Sequence, residues 1–227
     1  MSHIRFLLAL MSLTLGLSAA PVLATPAAAA ADGTFADTPL AAPAVDSIRI
    51  GDLIFIHVTP LPFEKVSQAT GSWTNHVGIV VDVVEGEPVV AESTFPRSKM
   101  TRFSAFVARS AEGRYAVRRL NAPLDDTMRQ GLLEASRKRM GIFYDTGFNL
   151  DSSRQFCSRF VHEVLQEAIG VQVGESETFR ELLARNPETE LGFWRAWYFG
   201  FIPWERTTIT PASLYHSPTL ITVTTAE

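Results

Sequence analysis

The chain has 227 residues, 46% hydrophobic and 19% charged, with 20 Lys+Arg against 24 Asp+Glu. That is enough apolar material for one sizeable folded domain, and it excludes disorder throughout. A formal charge of −4 supplies no basic field for neutralising phosphates, so nucleic acid is not an expected partner.

Residues 1–24 read as a secretory signal: His3 and Arg5 precede an apolar run from Phe6 to Leu17, and small residues follow. The run is short for a membrane span, and Val22 with Ala24 satisfies the small-residue cleavage rule. We therefore expect a periplasmic or secreted protein with no stable membrane span once the signal is cleaved; the rival reading keeps the segment as an N-terminal anchor. Residues 25–45 are Ala/Pro/Thr-rich and describe a flexible linker, which leaves 46–227 as the folded domain.

Within that domain the composition predicts strands first and helices after. Leu53 to Val58 follows a Gly51-Asp52 turn, Val77 to Val84 and Val89 to Ser93 are joined by the turn Glu85 to Pro88, and Tyr115 to Leu120 makes a fourth strand. Pro60 to Trp73 reads as a long polar loop of the kind that covers a site. Asp125 or Asp126 caps a helix with Met128, Leu132, Leu133 and Met140 near one face, and Gly141 ends it. The next helix opens after Ser152-Ser153, carries Phe156, Phe160, Val161, Val164, Leu165 and Ala168 at helical spacing, and stops at Gly170. Two shorter helices are expected at Ser176 to Arg185 and Glu188 to Tyr198, ahead of a β-branched tail from Thr207 to Val223. The pattern is α+β, an antiparallel sheet packed against helices.

Cys157 is the single cysteine, so it forms no internal disulfide. An unpaired thiol in an exported protein is either buried as a small hydrophobe or used chemically. A nucleophilic thiol must ionise, and a helix N-terminus beside an imidazolium lowers its pKa. Cys157 sits in the first turn of its helix. Among the four histidines beyond the signal, His162 lies five residues further along the same helix, about 140° around it, and points elsewhere. His57 lies within a strand and His216 in the tail; His76 stands at the mouth of the strand Val77 to Val84 and is the best-placed base. Glu92, in an otherwise apolar strand, is the candidate to orient that imidazole, since a buried carboxylate needs a partner. An outward-facing Glu92 is the alternative.

Gly51-Asp52-Leu53-Ile54-Phe55, Asn75-His76-Val77-Gly78-Ile79, Glu92, Tyr144-Asp145 with Phe148, and Phe156-Cys157-Ser158 opening a helix together resemble the YiiX/YebB-like (YaeF/YiiX) branch of the NlpC/P60 superfamily. The resemblance spans roughly residues 46 to 223 and implies a circularly permuted papain-like fold. It also implies Cys157 as nucleophile, His76 as general base and Glu92 as the orienting residue. Where that branch commonly follows Cys-Ser with an acidic and an aliphatic residue, this chain has Arg159-Phe160.

Substrate contacts are expected at Tyr144, Asp145 and Asp52. No HExxH or paired-Cys spacing occurs, so no metal site is expected, and no cofactor is needed for thiol chemistry. The expected activity is a cysteine amidase or peptidase acting on a peptide or small amide, with peptidoglycan stem-peptide fragments as the leading partner class. The alternatives are an acyltransferase acting on lipid or amine substrates and a non-catalytic module that binds wall peptides.

Overall fold

The computed structural model describes residues 47–226, with side chains to Thr224. The expected signal at 1–24 and linker at 25–45 lie outside the described residues. The chain runs β1 (Leu53–Ile56), α1 (Leu61–Thr70), β2 (His76–Val84), β3 (Glu87–Glu92), β4 (Lys99–Arg102), α2 (Phe103–Val107) and β5 (Tyr115–Leu120). It continues through α3 (Asp126–Arg137), α4 (Cys157–Ile169), β6 (Glu177–Thr178), α5 (Phe179–Arg185), α6 (Leu191–Trp197), β7 (Thr207–Thr208), α7 (Pro211–Tyr215) and β8 (Leu220–Ala226). Six strands form one antiparallel sheet in the order β4-β3-β2-β1-β5-β8, while β6 and β7 make a two-stranded ribbon.

Alternation along the strands gives the sheet two apolar faces. Leu53, Phe55, Val77, Ile79 and Ala91 pack with Phe160, Val161, Val164 and Leu165 of α4 and Leu132 of α3. Ile54, Ile56, Val80, Val90 and Val117 pack on the other face with Phe103 and Phe106 of α2. Helix α4 is the central support. No side chain caps its N-terminus, and a cap is worth only ~1 kcal/mol. Its four core residues are fully buried, each contributing roughly 1.5–3 kcal/mol. Burial rather than capping therefore fixes this helix, and its first N–H groups stay clear of side-chain caps.

The expected elements are present with shifted boundaries, and four segments differ. Pro60 to Trp73 is not a loop: Pro lies in its first turn, Gly71 closes it in the left-handed region at φ 62°, and Phe63, Val66 and Ala69 share an inward face, so α1 forms. Helix α3 is capped by Asp125, whose side chain accepts from the Met128 N–H, but it ends at Arg137 instead of reaching Gly141. Strand β4 and helix α2, which the sequence reading did not anticipate, extend the sheet edge beyond β3. The tail after Thr207 contains a short helix between two strands, and its last strand closes the opposite edge against β5. No helix among the described residues is long and apolar enough to cross a membrane.

Candidate functional site

Three elements end at one place. Strand β2 begins with His76, β3 ends with Glu92 and α4 begins with Cys157. The approach to His76 is pinned from both sides: Asn75 Oδ1 accepts from the Val58 N–H at 2.8 Å, its Nδ2 donates to the Val58 carbonyl at 2.9 Å, and Thr74 Oγ1 donates to the Ile56 carbonyl at 2.9 Å. Ile79 pairs with Ala91 and Val80 with Val90. Continuing that register sets Glu92 opposite Gly78, one diagonal step from His76 on the same face, within reach of long side chains. Gly78 leaves the space between them open. A Cβ there would lie 2.4 Å from Val90 Cγ1 and 3.0 Å from Phe106 Cε2; the Phe106 ring instead stacks on the His76 imidazole at 5.6 Å between centroids.

His76 Nε2 and Glu92 Oε2 are 2.7 Å apart in a fully buried setting. Glu92 also accepts from Thr101 Oγ1 at 2.7 Å and from Arg109 Nη2 at 2.8 and 2.7 Å, so both carboxylate oxygens are occupied. With Nε2 taken by Glu92, Nδ1 is the ring atom left for the sulfur. It is buried without a partner of ordinary hydrogen-bond geometry, yet the imidazole and the Cys157 thiol are close enough to move each other's protonation. The Tyr144 hydroxyl donates toward Cys157 Sγ at 3.9 Å.

The charges are mutually dependent. Burial disfavours a charged His76, but the facing Cys157 and the Glu92 carboxylate outweigh it and raise the imidazole pKa to about 9. Burial works against an ionised Glu92 as well; the bonds from His76 and Arg109 prevail and lower it to about 2. For Cys157, burial pushes upward, while His76, the Tyr144 hydroxyl and the Val77 backbone N–H pull the thiol below its ordinary value. Burial and the neighbouring sulfur hold Tyr144 well above the usual phenol range, so it keeps its proton. The shifts all run in the direction that favours a thiolate beside an imidazolium, with a buried, ion-paired carboxylate behind the ring.

The other residues singled out from the sequence take different places. Asp52 is buried at the far end of β1, where its carboxylate accepts from Arg119 at 2.6 and 2.8 Å and from the Arg49 N–H at 2.8 Å. Four residues of extended chain separate it from the end of β1 that pairs with His76, ~13 Å at about 3.3 Å per residue. The expected substrate contact is thus replaced there by an anchor that ties the first turn to β5. Asp145 lies in the loop before α4, and its carboxylate accepts from the Gly147 and Asn149 N–H groups at 2.9 Å each; backbone donors already engage it. Tyr144 is brought to the sulfur. Arg159 ion-pairs with Glu163 and donates to the Asn149, Ser152 and Arg154 carbonyls, bracing the loop that leads into Cys157. His57 contacts Glu64 and the Trp73 carbonyl, His162 contacts the Val173 carbonyl, and His216 is exposed. Thr101, Phe106 and Arg109 were missed from sequence; an arginine in the unpatterned stretch Ala108-Arg109-Ser110 reads as surface until it pairs with Glu92 in the fold.

Beside Cys157 a narrow apolar cavity runs under α1 between α4, α5 and α6, walled by Phe63, Val66, Phe148, Leu182, Trp194 and Ile209. Residues 47–224 match the family model described as the permuted papain-like amidase enzyme, YaeF/YiiX, C92 family. The chain belongs to the YaeF/YiiX amidase family. It is 30% identical over 175 residues to YiiX of Escherichia coli (strain K12), covering 77% of this chain and 85% of that protein, which is itself described as uncharacterized. It is also similar to the crystal structure of YiiX from Escherichia coli O157:H7, with a TM-score of 0.69 and 28% identity, covering 78% of this chain and 96% of that one. The family's permuted order agrees with His76 and Glu92 preceding Cys157 in the chain. That crystal structure is described as a metalloprotein; among the described residues here no three His, Cys, Asp or Glu side chains gather in a way that fits a metal ion.

Proposed function

We propose that this YaeF/YiiX member is a cysteine amide hydrolase in which Cys157 is the nucleophile, His76 the acid–base and Glu92 the residue that orients His76. The observation that carries the reading is the buried chain of contacts from Glu92 through His76 to the sulfur, with the thiol pKa lowered and the imidazole pKa raised to about 9. The Cys157 thiolate attacks the amide carbon, forming a C–S bond while the carbonyl oxygen takes the negative charge. We assign the stabilisation of that oxygen to the Cys157 N–H at the uncapped start of α4 and to the Tyr144 hydroxyl beside the sulfur, and one such donor is worth ~2.7–4 kcal/mol of barrier. The C–N bond then breaks as His76 gives its proton to the departing amine. Water attacks the thioester, His76 takes its proton, a C–O bond forms and the C–S bond breaks, which releases the acid and regenerates the pair.

Export, expected from residues 1–24, supports a substrate outside the cytoplasm, and stem-peptide amides remain the expectation read from sequence. The cavity beside Cys157 carries no charged side chain, and that lining favours an uncharged group. The proposal is tested by incubating the full chain with N-acyl aminocoumarin amides and following amine release together with the mass of the Cys157 peptide. The expected result is amine release with an acyl adduct on Cys157, both lost by at least 10³-fold in Cys157→Ala. Amine release persisting within tenfold in Cys157→Ala would overturn it.

A further inference from the structure

The wall of the cavity beside Cys157 offers a ligand almost nothing polar. Its polar side chains are turned to their own backbone: Thr70 Oγ1 donates to the Val66 carbonyl, Asn75 pairs with Val58, Ser158 Oγ donates to the Ile209 carbonyl at 2.7 Å, and Thr210 Oγ1 accepts from the Ser213 N–H. Two uncharged donors are the exceptions: the Trp194 indole N–H, buried without a partner among the described residues, and the Tyr144 hydroxyl, which donates toward Cys157 Sγ. The rest of the wall is apolar, with Phe63, Val66, Phe148, Leu182, Trp194 and Ile209 drawn from five different parts of the chain. A charged group placed there would lose its water and gain no charged partner, at a cost of several kcal/mol. An apolar group would lose nothing and gain about 25 cal/mol for each Å² removed from water.

Most of the lining residues are buried, and that enclosure indicates which half of the substrate belongs there. The amine must leave and water must enter after the first step, so the amine side needs an open route. The acyl half stays bonded to the sulfur through the thioester and tolerates a closed pocket. We propose that the cavity is the acyl-side pocket of the Cys157 centre and that it takes an uncharged, apolar acyl group. Two sources share that chemistry, an unbranched fatty-acyl chain and an apolar aminoacyl residue. The inference rests on Cys157 being the nucleophile and deepens that reading by naming the substrate class. Attack by the thiolate on a carboxylic ester follows the same balance as on an amide: the C–S bond forms, the C–O bond to the leaving phenolate breaks, and the acyl group is held on sulfur.

The test uses p-nitrophenyl esters, whose activated leaving group is constant, so the rate at which Cys157 becomes acylated reads the acyl side alone. The full chain is mixed with acetyl, butyryl, hexanoyl and octanoyl esters and with amine-blocked leucyl, phenylalanyl and glutamyl esters. Nitrophenol release and the mass of the Cys157 peptide are followed, with Cys157→Ala as the blank. The expected acylation rate rises with chain length, approaching the limit of about fourfold per methylene, or is at least tenfold higher for leucyl and phenylalanyl than for glutamyl. The first pattern names the fatty-acyl source and the second the aminoacyl source.

A flat or falling series together with no preference over glutamyl overturns the proposal. So does an absence of acylation while iodoacetamide still labels Cys157 faster than free cysteine, and that outcome leaves the nucleophile assignment standing. Neither acylation nor fast labelling removes both. In Val66→Phe and Leu182→Phe, which narrow the space, the ratio of octanoyl to acetyl rates is expected to fall at least tenfold. An unchanged ratio in variants that keep the wild-type unfolding midpoint contradicts the assignment, and if neither variant folds the wild-type ester series decides alone.

Discussion

Glu92 is a fully buried carboxylate that accepts four hydrogen bonds, two of them from one arginine. Together with the facing Cys157, its negative charge favours a protonated His76, which in turn favours an ionised Cys157, although Glu92 is bonded to the far side of the ring. Glu92→Gln keeps the shape and removes the charge. One cause of the raised imidazole pKa is then lost, and the amide nitrogen opposes the donors that now point at the carboxylate. We expect kcat/KM for amide hydrolysis to fall by on the order of 10²-fold or more. The wild-type profile is expected to decline on the alkaline side near pH 9, where His76 loses the proton that the leaving amine needs. In Glu92→Gln that limb moves to lower pH, and a profile with the same alkaline limb and a rate within threefold would contradict the role. At this scale Cys157, His76 and Glu92 were legible because each stands at the edge of a patterned element. Asp52 and Arg109 were not: a Gly-Asp turn looks the same whether its carboxylate meets a substrate or Arg119, and Arg109 acquires its partner only by folding across 17 residues.

Strand β2 depends on a residue that has no side chain. Gly78 has ordinary strand geometry, and its requirement is for space: Val90 from β3 and Phe106 from α2 meet where a Cβ would sit. Gly78→Ala forces those neighbours apart and disturbs the Phe106 ring that stacks on His76. Overpacking of this kind costs typically ~1–3 kcal/mol, so denaturant unfolding should show a lower midpoint at unchanged slope. A midpoint equal to wild type would show that the contact relaxes freely. The central strands and α4 were readable as elements because their apolar periodicity runs uninterrupted. Strand β4 is polar at the sheet edge and α2 is five residues long, so neither leaves a periodic signal. Helix α1 was read as a loop because its polar residues outnumber the three that face inward, Phe63, Val66 and Ala69, and Pro62 drew attention away from their spacing.

Over the whole molecule, the order of elements along the chain carried the architecture: strands bearing a histidine and a carboxylate, then a buried helix opening on a lone cysteine. That order matched a family, and the family match over residues 47–224 supplied the permuted papain-like fold. Pocket walls were beyond reach of the sequence, since α1, α4, α5 and α6 meet only through contacts distant in the chain. In the proposed mechanism, folding creates a thiolate–imidazolium pair at residues 157 and 76. Because Cys157 is the only cysteine of the sequence, the ultraviolet absorbance of its thiolate can be titrated directly against Cys157→Ala as the blank. The expected result is a thiolate that persists well below the free-cysteine midpoint of about pH 8.5, with the midpoint moving upward in His76→Ala. A wild-type midpoint at or above that of free cysteine, unmoved by His76→Ala, would contradict it.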